Sequence, residues 1–131
     1  VIKYMKENKL TIQINKPINE VFEFTTNPNN THKWIDSIVT EEINEKPIKV
    51  GTIYRNKSKT GNWSEYKCIE FVESERFVLK ALNGDYSVIY NYKDLGDSTT
   101  EMEYIEHAEG GDFENPFTQE VLEKLKKILE T

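Results

Sequence analysis

Lys16-Pro17-Ile18-Asn19-Glu20-Val21-Phe22-Glu23-Phe24, followed by Asn27-Pro28 and Trp34, is where the chain changes its hydrophobic period, and that change decides the fold. Upstream, Leu10, Ile12 and Ile14 alternate with Thr11, Gln13 and Asn15, the period-two pattern of a half-buried strand. Downstream, Ile18, Val21 and Phe22 recur at the three-and-four spacing of a helix. Pro17 suits the first turn of that helix, where a missing N–H has no partner to lose. Asn27-Pro28 closes the helix and can open another, because Asn caps and Pro fits a first helical position. The second helix is short and ends near Trp34.

From Ser37 onward the signals are strands and tight turns. Residues 38–45 are polar, as an edge strand is, and residues 51–57 follow the break at Pro47. Thr60-Gly61-Asn62, Glu73-Ser74-Glu75, Asn83-Gly84-Asp85 and Gly96-Asp97-Ser98 then punctuate the chain at hairpin spacing. The segments between them, 63–72, 76–82, 86–95 and 99–107, predict strands of an antiparallel meander. Gly110-Gly111 breaks the last strand, and Asn115-Pro116 offers a cap and a first-turn proline for one final helix. There Phe117, Val121, Leu122, Leu125, Ile128 and Leu129 form an apolar stripe, with Glu120–Lys124 and Glu123–Lys127 spaced for ion pairs on the other face. The pattern predicts a single α+β domain over residues 1–131, ordered strand, helix, short helix, six strands, long helix.

This order resembles the START-like, polyketide-cyclase-like superfamily, also called SRPBCC. Its helix-grip fold wraps a curved antiparallel sheet, here of about seven strands, around a long C-terminal helix. The resemblance spans essentially the whole chain and is carried by Pro17, Val21, Phe22, Phe24, Asn27-Pro28 and Trp34, with Gly51 matching a glycine common after the polar strand. It implies an apolar cavity between sheet and final helix that binds a small hydrophobic or amphipathic molecule, lipids included. It also implies two alternatives seen among members, cyclase or dehydratase chemistry and a co-chaperone-like interaction module. A final helix starting only at about Phe117 implies a small cavity.

Charge and composition narrow the function classes. With 23 acidic and 17 basic residues the net charge is -6, and no Lys/Arg run forms a phosphate-tracking stripe, so nucleic acid is not an expected partner. Residues 1–9 carry charges every few positions, and no stretch approaches membrane-spanning length, so a cytoplasmic protein without membrane insertion is expected, as a monomer or weak homodimer. The lone Cys68 fits a reducing compartment and reads as a buried filler rather than a nucleophile. His32 and His107 lack partners at ligand spacing, and neither a phosphate-cradling glycine loop nor a nucleophile elbow occurs. No metal, cofactor or catalytic residue is expected.

Strand parity nominates the cavity wall, since alternate residues share a face. Tyr86, Val88, Tyr90 and Tyr92 share one, and Met102, Tyr104 and Glu106 share another on the next strand. Phe77, Leu79 and Ala81, or else Val78, Lys80 and Leu82, line it from the preceding strand, the first set being the more apolar. Val121 and Leu125 line it from the final helix, and Phe22, Trp34 and Trp63 supply aromatic walls or a mouth. Two readings stand side by side. The tyrosines offer apolar walls with polar handles to a ligand, or they are half-buried strand formers filling space under the helix. Glu106 beside Tyr104 is the candidate acid or base if chemistry occurs, or else a rim carboxylate.

Overall fold

The computed structural model describes residues 5–109 and 116–131. Along the chain run β1 (Met5–Ile14), α1 (Ile18–Thr26), α2 (Thr31–Trp34), β2 (Ile38–Ile43), β3 (Ile53–Ser58), β4 (Trp63–Val72), β5 (Arg76–Ala81), β6 (Ser87–Gly96), β7 (Thr99–Glu109) and α3 (Gln119–Glu130). The seven strands form one curved antiparallel sheet in the order β1-β7-β6-β5-β4-β3-β2, the helix-grip arrangement. Hairpins carry the chain across from β2 to β7, and β1 closes the far edge by pairing with β7. The β6–β7 hairpin turns on Asp97 and Ser98, both at positive φ (53° and 56°), the left-handed pair that matches strand twist in a two-residue loop.

Register arranges the concave face in cross-strand rungs. One rung runs Leu10, Tyr104, Tyr90, Phe77, Phe71. The next runs Asn8, Glu106, Val88, Leu79, Cys68, and a third carries Tyr86, Ala81, Tyr66 and Tyr54. On the other side of the first rung, Ile12 opposes Met102 and Met102 opposes Tyr92. α1 covers that region with Val21, Phe22, Thr25 and Thr26, and the Phe22 ring meets Tyr92 edge-on at 5.1 Å.

The helix boundaries differ slightly from the sequence pattern. Pro17 is the cap residue of α1 rather than part of its first turn, and its carbonyl accepts the Glu20 and Val21 amides. Asn27-Pro28 forms a turn, with the Asn27 side chain accepting the Asn29 amide, and α2 begins only at Thr31 after Asn30. The expected break at Gly110-Gly111 and the cap at Asn115 lie outside the described residues.

α3 buries Leu122 and Leu125 and docks against β1 and α2. Its polar side chains do more than face water. Gln119 Nε2 donates to the Thr11 carbonyl, Lys126 Nζ donates to the Gln13 carbonyl, and Glu130 accepts the Asn15 amide. These bonds occupy backbone groups that an edge strand leaves open to pairing with another chain. Lys124 reaches Asp36 rather than Glu120, and the ion pair along the helix joins Lys126 to Glu130 at 2.8 Å.

Candidate functional site: a cavity on the concave face

The rung pattern leaves a hollow. Large rings stand on two rungs, Tyr104, Tyr90 and Phe77 on one and Tyr86, Tyr66 and Tyr54 on the other, while the rung between them contributes only Val88 and Leu79 to the lining. Thr25, Thr31, Ile35, Ile38 and Phe117 close over it without filling it, and a cavity of about 180 Å³ remains. Ser37 is the exposed member of the lining and marks where the cavity meets solvent.

The tyrosine hydroxyls divide by role. Tyr54 donates to the Thr26 carbonyl at 2.7 Å and Tyr92 bonds Thr25 Oγ1 at 2.7 Å, so these two fasten α1 to the sheet. Tyr86 donates to Glu106 Oε1 at 2.8 Å. Tyr90, only 5% exposed, has no hydrogen-bond partner for its hydroxyl among the described residues. Burial raises the pKa of all four, so they are neutral donors at physiological pH.

Glu106 is buried and accepts three donors: Asn8 Nδ2 at 2.8 Å, Tyr86 at 2.8 Å and the Phe117 amide at 3.0 Å. It joins β1, β6 and the approach to α3, and it lies outside the cavity lining. The charged side chain that does line the cavity is Glu41 on β2. Its carboxylate accepts Thr31 Oγ1 at 2.6 Å and Asn56 Nδ2 at 3.3 Å. Burial holds this carboxyl above its ordinary pKa, and the two hydrogen bonds offset part of that rise. Glu41 also borders an open groove lined by Asn27, Pro28, Ile43 and Pro47, so it stands in the wall between cavity and surface. Among the described residues no cluster of His, Cys, Asp or Glu is arranged to hold a metal, and burial pushes the Cys68 thiol up to about 11, away from nucleophilic reactivity.

A family model described as polyketide cyclase / dehydrase and lipid transport matches residues 5–130. The chain belongs to this family. No curated protein matches it in sequence. Solved structures similar to this member of the cyclase/dehydrase and lipid transport family confirm the fold. A norcoclaurine synthase point mutant from Thalictrum flavum shares 12% identity over 99% of this chain and 97% of its own, with a TM-score of 0.73. A START superfamily protein from Mycobacterium smegmatis shares 9% identity over 95% and 97%, with a TM-score of 0.76. The Aha1 dimer from Colwellia psychrerythraea shares 12% identity over 99% and 97%, with a TM-score of 0.66.

Of the side chains that parity nominated, this cyclase-family fold brings Phe77, Leu79, Tyr86, Val88, Tyr90 and Tyr104 together around the cavity. Phe22, Trp34, Tyr92, Met102 and Leu125 are buried in the core without bordering it, and Val121 packs against that core. Trp63 goes elsewhere. It is 42% exposed, and the Arg55 guanidinium lies 4.0 Å from its ring centre. Its strand alternates Trp63, Glu65 and Lys67 against Tyr66 and Cys68, and the charged set faces out. The cavity is also displaced from the expected place: it is closed by α1, α2, the segment after α2 and Phe117, and no residue of α3 lines it. Parity missed Glu41. A register shift between Ile38 and Thr40 turns both Ile38 and Glu41 inward, although simple alternation from Ile38 would send Glu41 to solvent.

Proposed function

We propose that the protein binds a small apolar or amphipathic molecule in the cavity floored by Val88 and Leu79. The observation that carries this reading is the hollow itself: native interiors are close-packed, and voids larger than a water molecule are few. A space of about 180 Å³ walled by rings and closed by two helices is a site in which apolar burial drives binding. The family description, which pairs cyclase and dehydrase chemistry with lipid transport, supports the same class of ligand. If the cavity also hosts chemistry of the cyclase or dehydratase type, Glu41 is the carboxyl that meets the ligand; Glu106 is committed to three protein donors.

The test is a thermal-shift screen with uncharged aromatics, fatty acids and sterols, run on the wild type and on Val88→Phe. A ligand that binds only the folded state raises Tm. Small aromatics are expected to raise Tm in the wild type and to lose that effect in Val88→Phe, where the new ring occupies the floor. An equal shift in both proteins would place the binding elsewhere and overturn the reading.

A further inference from the structure

Three features of the cavity bear on what it selects. Its size suits a small ligand: an apolar cavity of about 150 Å³ takes up benzene, and about 180 Å³ has room for one substituted ring. Its charge is one-sided. Among the described residues Glu41 is the only carboxyl in the lining, and no Lys, Arg or His lines the cavity to receive an anion. Its polar atoms are incompletely used. Each Glu41 oxygen accepts one protein donor and keeps capacity for another, and the Tyr90 hydroxyl, on a side chain only 5% exposed, has no partner among the described residues. A ligand that covers this hydroxyl without satisfying it buries an unpaired polar group, so a ligand that does satisfy it gains affinity by comparison.

We propose that the cavity selects a small uncharged aromatic molecule whose polar group donates a hydrogen bond to Glu41 and accepts one from Tyr90, and that it rejects carboxylates. A phenol has this chemistry in one atom, since its oxygen both donates and accepts. The ring packs against Tyr104, Phe77 and Tyr66, whose faces and edges suit aromatic contact. A carboxylate of the same size meets Glu41 with no compensating cation and has no proton to give it. This inference rests on the cavity being the ligand site.

Calorimetric titration of the intact chain with para-ethylphenol, its isostere para-ethyltoluene and para-ethylbenzoate separates the two levels. Para-ethylphenol is expected to bind at least about tenfold more tightly than para-ethyltoluene, the factor that one net hydrogen bond confers, and para-ethylbenzoate is expected not to bind. Tyr90→Phe and Glu41→Gln should each shrink the ratio of phenol to toluene affinity by several-fold. Equal affinity for phenol and toluene probes, binding of the benzoate as tight as that of the phenol, or a preference untouched in both variants would overturn the selectivity while leaving the cavity reading intact. If none of the three binds the wild type, both fall. The wild-type comparison alone decides the matter should either variant fold poorly.

Discussion

At one end of the concave face Ile14, Trp34, Met102, Leu122 and Leu125 are excluded from solvent, gripped between the sheet, α1 and α3. At the other end the same sheet presents Val88 and Leu79 between two rows of rings, and the elements above leave about 180 Å³ open. Both regions use aromatic and aliphatic residues on the same strands, so composition does not separate them. What separates them is the sequence of sizes along the rungs and the length of the helix overhead. α3 packs along β1 without lining the cavity, and α2 has only four residues with which to cover the rest.

Truncation at the packed end should have the largest effect. Trp34→Ala removes a ring that meets Tyr90, Tyr104 and Phe117 edge-on, and urea denaturation should show a loss of about 3–5 kcal/mol. Enlarging a side chain should separate the two regions by sign. Ile14→Phe overpacks a fully buried site and should cost about 1–3 kcal/mol. Val88→Phe fills existing space and should stabilise the ligand-free protein by about 0.5–2 kcal/mol. Destabilisation by both to the same extent would mean that the hollow is not there.

Hydroxyl deletions separate the two ends at smaller scale. Tyr92→Phe breaks the bond to Thr25 and should cost about 0.5–1.5 kcal/mol. Tyr90→Phe deletes a hydroxyl that has no hydrogen-bond partner among the described residues and should be neutral or stabilising by the same denaturation assay. The smallest effect is a pH slope. Because burial raises the Glu41 pKa, the folded chain holds this proton to higher pH than the unfolded chain, whose ordinary value is 4.5. The associated stability is fully present below 4.5 and is lost as pH rises through the folded pKa. Wild type should therefore lose stability relative to Glu41→Gln as pH rises from 4.5 towards neutrality, and a difference of the opposite sign would show that Glu41 is not held in a desolvated place.

Much of this architecture is legible in the sequence. Alternation in β6 and β7 assigns Val88, Tyr90 and Tyr104 inward, whereas β5 runs Phe77-Val78-Leu79 without alternating, and Phe77 and Leu79 are picked only as the more apolar of two parity sets. Turn residues fix the strand boundaries in the same region, because only a few residue types accept the backbone conformations that hairpins require. The polar end of the site is not legible in this way. Ile38 to Ile43 carries little apolar alternation, and its register shift reverses parity part-way along, so Glu41 gives no local sign that it faces in. Trp63 misleads for a related reason: a large ring suggests a wall, yet its strand neighbours Glu65 and Lys67 share its face and mark that face as solvent-exposed. Parity leaves Glu106 open between an inward acid and a rim carboxylate; its partners Asn8 and Phe117 are far away in sequence, and they make it a buried structural tie.

Methyl-resolved NMR with para-ethylphenol as titrant probes both ends of the concave face in one experiment. The Leu79 and Val88 methyl signals are expected to shift and saturate together while those of Leu122 and Leu125 stay in place. Shifts spread evenly over all four residues, or confined to the packed pair, would contradict the division of the face into a solid end and a hollow one.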